Sequence, residues 1–216
     1  KNSAPAPIVG TQDDNAPYGA TFDALNIFEL NVQWNSKPTA SFNFAAQLPV
    51  ASFDSIFPCG VTPGLPPPNQ PNSRDCLPQP GVNGSRYLDI LSYRQRPTYR
   101  LAYRNFGTYE SFVTSQSVEA APAVAGMRWY EIRRVNGVYS VYQQGTYNPN
   151  DGVHRWMGSA AMDWQGNIAM GYSVVNGVDV YPGIRYTGRL ASDPLGSMTL
   201  GEGIIVNGTG VQTTVN

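Results

Sequence analysis

Few side chains in this sequence could carry chemistry, and the first of them is the single histidine, His154. A Ser-His-Asp or Cys-His hydrolase would have to use His154 as its base. No Gly-x-Ser-x-Gly motif is present to hold a serine nucleophile on a strained turn. One histidine and two cysteines also fall short of the four nitrogen or sulfur ligands that a structural zinc ion takes. The pattern predicts no catalytic residue and a structural or exposed role for His154.

Paired carboxyl groups are the next candidates, because glycoside hydrolysis uses two of them about 5 to 10 Å apart. Asp89, Glu131 and Asp163 lie on or beside strand-like segments. Glu131 is surrounded in sequence by arginines, which favours a salt bridge, and Asp163 is placed to cap its own turn. The sequence therefore favours structural roles for these acids and leaves a glycosidase as the alternative.

Aromatic rings and arginines could bind a ligand, since rings stack on sugar faces and arginine forms fixed, bidentate contacts. Only Lys1 and Lys37 among the 14 cationic residues are lysines. Most of these side chains are expected to serve the core or salt bridges, and Trp164, at a turn tip, is the best candidate for an exposed contact. The ligand-binding candidates are Trp164, Trp156, Arg104, Arg128, Arg185 and Tyr186.

Two oxygen-rich segments, 13–15 and 148–152, offer the ligands that calcium uses. Neither segment matches the EF-hand pattern, and ordinary polar turns are favoured for both. Asp13, Asp14 and Asp151 are weak calcium candidates, and the sequence indicates no other cofactor.

Cys59 and Cys76 bracket a segment rich in proline and asparagine that has no core of its own. A disulfide between them would contribute about 3 kcal/mol by restricting the unfolded chain, and it would indicate an oxidising compartment. Two free buried thiols are the alternative. Asn83 and Asn207 match the N-glycosylation pattern, which matters only in a eukaryotic secretory host. No signal peptide is visible at Lys1, as expected for a mature N-terminus or for a piece of a longer chain.

The composition excludes several classes of protein. Charged residues make up only 13% of the chain, against about 25% in an average globular domain. The net charge of −1 and the scattered charges argue against nucleic acid as a partner. No run of 18 apolar residues is present, so we expect no membrane span. The aromatic content of 12% can support a core, which argues against disorder over the whole chain.

The elements that must position these residues are strands, because alternating sequences rich in aromatic and β-branched residues dominate the chain. Asn136-Gly137 and Asn176-Gly177 have the sequence of tight hairpin turns, and 163–167 has that of a slightly longer one. The clearest strand-like segments are 87–91, 99–106, 127–134, 139–147, 167–174 and 183–190.

The strand-like segments fall into three sets. The first comprises 7–13, 24–32 and 40–48, the second lies within 86–145, and the third begins at His154 and extends to 206. Their regular spacing predicts an all-β fold, either an incomplete β-propeller of about three blade-like antiparallel sheets or a β-sandwich. We treat 1–216 as one such portion, with 51–82 as a Pro-rich loop clipped by the Cys59–Cys76 disulfide.

Several motifs resemble a known group. They are RLAYRNFGTYESFV at 100–113, RWYEIRR at 128–134, the block HRWMGSAAMDWQGNIAMGYS at 154–173, IRYTGRLASDPLG at 184–196 and CLPQPG at 76–81. The chain resembles, over roughly 16–210, poorly characterised large secreted bacterial proteins with a sialidase-like or BNR-like β-propeller. The nearest match to the Asp-box of sialidases, from Asp163 to Ile168, has one extra residue and lacks the downstream Trp.

The resemblance implies secretion and a propeller, and it provides no ligand residues. In that group the chain continues past the equivalent of Gly210 into further strands, so we expect the remaining blades to come from another chain or another copy. The sequence thus predicts a non-catalytic extracellular interaction or assembly module, with glycan as a candidate ligand. The alternative is part of a glycoside-hydrolase-type propeller enzyme.

Overall fold

The computed structural model describes residues 4–14, 19–55, 75–82, 87–90 and 96–213, and these residues form strands, turns and loops. In this part of the chain no helix has the length and apolarity that crossing a membrane requires. The strands are β1 (Ala6–Gln12), β2 (Ala24–Gln33), β3 (Thr39–Pro49), β4 (Asp75–Leu77), β5 (Leu88–Asp89), β6 (Ala102–Asn105), β7 (Glu110–Ala121), β8 (Val124–Val135), β9 (Val138–Tyr147), β10 (His154–Met162), β11 (Ile168–Val175), β12 (Gly183–Arg189) and β13 (Glu202–Val206).

Three antiparallel sheets contain most of these strands, each in simple sequential order. They are the N-terminal sheet (β1-β2-β3), the central sheet (β6-β7-β8-β9) and the C-terminal sheet (β10-β11-β12-β13), and β4 pairs with β5 in a small fourth sheet. The all-β class and the three sets of strands expected from the sequence are confirmed. Within the described ranges the sheets do not close into a propeller.

The central sheet lies between the other two. On one side, Leu25 and Ile27 of the N-terminal sheet pack in one apolar cluster with Phe112, Tyr130 and Ile132. Each such fully buried apolar side chain contributes about 1.5–3 kcal/mol relative to an exposed one. The three sheets are therefore stacked in the order N-terminal, central and C-terminal.

The other side of the central sheet packs on the C-terminal sheet through a second cluster. Met127 and Trp129 are fully buried there against Ala160 and Tyr172. Gly158 on β10 permits this contact, because a Cβ at that position would overlap the terminal methyl of Met127. Small residues on β10 thus let the two sheets approach closely.

Two of the expected turns are confirmed. Val135 pairs with Val138 across a two-residue turn in which Asn136 and Gly137 have φ values of 50° and 86°. This left-handed conformation is the one that Asn-Gly supplies in tight hairpins. Asp163 caps its own turn, with Oδ1 accepting the Asn167 N–H at 2.9 Å.

The expected tight hairpin at Asn176-Gly177 is wrong. β11 ends at Val175 and β12 begins at Gly183, so a longer connection joins them, and neither Asn176 nor Gly177 has positive φ. Asn176 acts through its side chain instead, because its Oδ1 accepts N–H groups of the following residues, including Val178 at 2.9 Å. Asparagine can organise either kind of turn, and the dipeptide alone does not distinguish them.

The described part of segment 51–82 is not all loop. Asp75–Leu77 forms β4, and Leu77 is fully buried in a cluster with Trp156 and Val175. Cys59 and the side chain of Cys76 lie outside the described residues, as does Asn83, so the disulfide and that glycosylation site remain predictions.

Candidate functional site

The C-terminal sheet has one buried and one uncovered face. Its inner face, including Ala160, Met162 and Tyr172, packs on the central sheet. Strand register places small residues side by side on the opposite face, where Ser159 is opposite Gly171 and Ala161 is opposite Ala169. We call this the outer face and define it by Ser159, Ala161, Ala169, Gly171, Ile184, Tyr186, Gly188 and Gly203.

A groove of about 660 Å³ lies at the end of this face where β10 turns into β11. Ala161, Ala169 and Gly188 are among its lining residues, and Leu200 and Tyr186 also line it. Because Ala161, Ala169 and Gly188 are small, they leave a space above the strands, and this space forms part of the groove.

Tyr186 is held against the sheet and remains accessible. It lies opposite Gly203 on β13, and a Cβ at Gly203 would overlap the Tyr186 ring. A ring that lies over a cross-strand glycine shields the backbone there. Because Tyr186 is still 49% exposed, its other side can stack on a ligand.

Arg104 reaches the groove from β6 of the central sheet. Its Nε donates a hydrogen bond to the Met162 carbonyl oxygen at 2.7 Å. No other group in the part of the chain described binds its Nη1 or Nη2, so two nitrogens are available for carboxylate or hydroxyl oxygens. Arg104 and Tyr186, both expected from the sequence to bind ligand, are thus brought to one groove.

The two tryptophan candidates differ in exposure. Trp164 is 77% exposed, in the turn between β10 and β11, where two lining residues of the groove, Asp163 and Asn167, also lie. Trp156 is only 5% exposed and packs with Leu77 and Val175. The burial of Trp156 corrects the sequence-based expectation, since its ring cannot stack on a ligand.

Arg128 and Arg185 also serve the structure. Arg128 is buried and donates from Nη2 to the Ser52 carbonyl oxygen at 2.7 Å. Arg185 pairs with Glu202 at 2.8 Å. Strand alternation puts Arg185 on the inner face and its neighbour Tyr186 on the outer face, which the sequence could not decide without the register.

Glu202 and Arg155 form the centre of an ionic network on the inner face. Arg155 is fully buried and makes paired hydrogen bonds to Asp151 and to Glu202. Tyr172 and Arg185 also donate to Glu202. Burial alone would raise the pKa of Glu202, but these hydrogen bonds outweigh it and lower the pKa below its ordinary value. Glu202 is therefore an anion that holds strands together.

His154 has a structural role. It is buried, and its Nδ1 accepts the Ala125 N–H at 3.2 Å. Burial, with a smaller effect of neighbouring Arg155, lowers the pKa of His154 to about 4. The imidazole is thus neutral at pH 7, and its Nδ1 is used in a hydrogen bond to the backbone.

Several described carboxyl groups are held by hydrogen bonds. Glu131 accepts hydrogen bonds from Arg133, Ser111 and Gln143. Every described carboxyl group whose pKa departs from the ordinary value has it lowered, by hydrogen bonds that outweigh burial. These groups are Asp151, Asp163, Asp193 and Glu202. A glycosidase needs one acid with a raised pKa.

Asp13, Asp14 and Asp23 each place a carboxylate oxygen within 4.8 Å of the others, with Asp13 and Asp23 buried. The Ser55 N–H binds Asp13 Oδ2 at 2.8 Å and the Phe53 N–H binds Asp23 Oδ2 at 2.7 Å. Such an oxygen set suits calcium, although backbone donors already stabilise these anions. Asp23 was not among the calcium candidates of the sequence analysis, because it lies outside the oxygen-rich segment 13–15.

Asp151, the third calcium candidate, lies apart from this cluster and pairs with Arg155. Asn207, the second glycosylation candidate, follows β13 directly and is exposed.

Comparison with protein-family models, with curated proteins and with solved structures finds no match for this chain. The resemblance to secreted propeller proteins therefore remains an expectation.

Proposed function

We propose that this chain is a non-catalytic extracellular interaction or assembly module that acts through the outer face of its C-terminal sheet. The observation that carries the proposal is a groove lined in part by small residues, on a sheet face where Ser159, Ala161 and Ala169 are exposed. Large uncovered apolar patches on soluble proteins usually mark interaction sites. Exposed apolar side chains also occur on β12, on β13 and on the segment between them, at Ile184, Leu190, Leu195, Leu200, Ile204, Ile205 and Val206.

The incomplete propeller is part of this proposal. Three sequential antiparallel meanders stacked face to face are what successive blades of a propeller provide. A β-sandwich packs two sheets around one core, whereas the central sheet here contributes to an apolar cluster on each side. These features support the propeller over the sandwich.

Extracellular location rests on the sequence, through the cysteine pair and the resemblance to secreted proteins. Glycan is the ligand class that the accessible side chains favour. Tyr186 offers a ring for stacking, Arg104 offers free donors, and exposed Trp164 lies in the turn beside the groove.

Glycoside hydrolysis is the less favoured alternative, because the acids near the groove have structural partners. Asp163 is bound by the Gln165 and Asn167 N–H groups, and Glu202 is bound by Arg155, Tyr172 and Arg185. Both carboxyl groups have lowered pKa values. Neither is suited to donate a proton to a leaving group at neutral pH.

The test is to apply fluorescently labelled chain to arrays of extracellular polysaccharides and to immobilised copies of itself, with turnover of chromogenic glycosides measured in parallel. We expect binding without turnover. Ala169→Arg should fill the groove and abolish binding, because Ala169 is exposed on the outer face. Val178→Arg, at an exposed loop away from the groove, should bind like the wild type.

Turnover that disappears in Asp163→Asn or Glu202→Gln would favour the enzyme instead. Binding that survives Ala169→Arg would locate the interaction elsewhere on the molecule.

A further inference from the structure

We infer that the outer face of the C-terminal sheet is covered by the N-terminal sheet of a second copy of this chain, in a head-to-tail arrangement. This inference rests on the proposed function, because it names a second copy, in place of a glycan, as the partner of the same face. It follows from three observations: the properties of the opposite end of the stack, the fit between the two ends, and the way the chain already joins its own sheets.

The opposite end of the stack exposes large aromatic rings. Phe28 stacks on Phe42 with ring centroids 5.1 Å apart and meets Phe44 edge-on at 5.5 Å. Phe42 is 56% exposed and Phe44 is 58% exposed. These rings face away from the central sheet, since Leu25 and Ile27, on the other side of β2, form the contact with it. Exposed ring clusters of this kind are typical of a covered interface.

The same face is uncharged along its described strands. Gln12, Asn26 and Gln47 bind one another there through their side chains. The charged residue of β2, Glu29, lies on the inner side, where Tyr139 and Arg134 bind it. A neutral face with bulky rings therefore brings no unpaired charge of its own into a contact with another sheet.

The two ends of the stack are complementary in size. One projects phenylalanine rings, and the other has alanine, glycine and serine residues on β10 and β11, beside Ile184 and Tyr186 on β12, and a groove of about 660 Å³. Two identical ends would not fit as well, because rings would meet rings and small residues would leave a gap between sheets. Close packing requires large side chains opposite small ones.

The same packing of a large side chain on a small residue occurs within one chain, where the central sheet meets the C-terminal sheet. Met127 of the central sheet packs over Gly158 of the C-terminal sheet, where a Cβ would overlap it. The proposed contact between copies repeats that junction with Phe42 and Phe44 over Ala161, Ala169 and Gly171. It therefore continues the stacking of sheets that joins the N-terminal, central and C-terminal sheets within one copy.

A contact between unlike faces is heterologous, so copies form a closed ring or an open chain, depending on the rotation between them. Two copies with three large sheets each would bring six sheets together, which lies within the 4 to 8 blades of known propellers. We therefore expect a closed dimer.

The experiment is light scattering on the purified chain over a wide range of concentration, with one variant for each end. Phe44→Glu places a charge on the aromatic end, and Ala169→Arg blocks the groove end. Each variant alone should be monomeric, because every contact joins an aromatic end to a groove end and would therefore include the substituted residue. Val178→Arg is the control and should remain dimeric.

Mixing the two variants distinguishes this arrangement from others. The intact groove of Phe44→Glu can still accept the intact aromatic end of Ala169→Arg, so the mixture should recover a heterodimer joined at one contact. Thermal melting of each monomer checks folding. If Phe44→Glu melts early, Phe42→Glu replaces it, and Ala161→Arg replaces Ala169→Arg in the same way.

Three results would overturn the inference. They are a wild-type chain that is monomeric throughout, a dimer that only Phe44→Glu disrupts, and a mixture that stays monomeric. A monomer whose binding to an array polysaccharide is abolished by Ala169→Arg would overturn only the second copy as partner, and the interaction module would stand. A chain that binds neither itself nor any array ligand would overturn both.

Discussion

The two faces of the C-terminal sheet come from the same four strands and differ in almost every respect. The inner face carries the fully buried Arg155, bound to Asp151 and Glu202, beside the apolar cluster around Tyr172. The outer face carries small residues and the half-exposed Tyr186. The inner face contributes to folding, whereas the outer face is available for association. Substitutions should therefore affect different measurements according to the face.

The largest expected effect is at Arg155 on the inner face. Arg155→Met removes the cation from four hydrogen bonds and leaves Glu202 and Asp151 without their main partner. Loss of one member of a buried ion pair costs about 3–5 kcal/mol. Urea denaturation should show this loss in the free energy of unfolding.

The matched control is Arg104→Met at the groove, where one hydrogen bond to a carbonyl is lost. Arg104→Met should lower the free energy of unfolding by about 1 kcal/mol or less. Equal losses for the two variants would contradict the difference between the faces.

The next effect concerns pH and the start of β10. Burial lowers the pKa of His154 to about 4 in the folded chain, against about 6.5 in the unfolded chain. The unfolded state therefore takes up the proton first as pH falls. Above pH 6.5, His154 therefore contributes about 3 kcal/mol to the free energy of unfolding, and this contribution is lost as the pH falls to about 4.

His154→Asn keeps an acceptor for the Ala125 N–H and removes the titration. The free energy of unfolding of this variant should fall less than that of the wild type between about pH 6.5 and pH 4. Parallel pH curves for the two proteins would mean that His154 is not shielded from water as the structure indicates.

A smaller effect is expected where the central sheet meets the segment before β13. A Cβ on Gly145 would overlap the Gly196 carbonyl oxygen, and backbone cannot move aside as a side chain can. Gly145→Ala should lower the free energy of unfolding by about 1–3 kcal/mol. Gly210→Ala has open space around it and should stay within about 0.5 kcal/mol of the wild type.

The smallest effect on folding is expected on the outer face. Ala161→Arg projects from an exposed position of β10 and should change the free energy of unfolding by about 0.5 kcal/mol or less in dilute solution. The same variant should abolish association in light scattering. A variant that unfolds readily would show that the outer face contributes to the fold of the single chain.

Local patterns made much of the fold predictable. Alternating residues identified β8, β9, β11 and β12, and Asn136-Gly137 identified its hairpin, because each signal lies within a few adjacent residues. Strand β7 was not among the clearest strand-like segments. Thr114 to Ser117 are polar and all buried, so this strand lacks the apolar alternation on which the prediction depends.

The candidate site was predictable only in part. Trp164, Tyr186 and Arg104 are accessible, as expected of ligand-binding residues, while Trp156 and Arg185 are used inside the fold. Residue type shows what a side chain can do, but strand register decides which face it occupies. The groove itself depends on Ala161, Ala169 and Gly188, which come together only through pairing of three strands.

The two Asn-Gly pairs should age differently. An asparagine followed by glycine loses ammonia when the next backbone nitrogen attacks its side-chain amide, and this needs a free and mobile side chain. Asn136 is exposed at its hairpin tip. The Asn176 side chain is buried and held by three backbone N–H groups. Stored protein should therefore acquire a new negative charge at Asn136, at the tip of the β8–β9 hairpin, while the connection after β11 keeps its original chemistry.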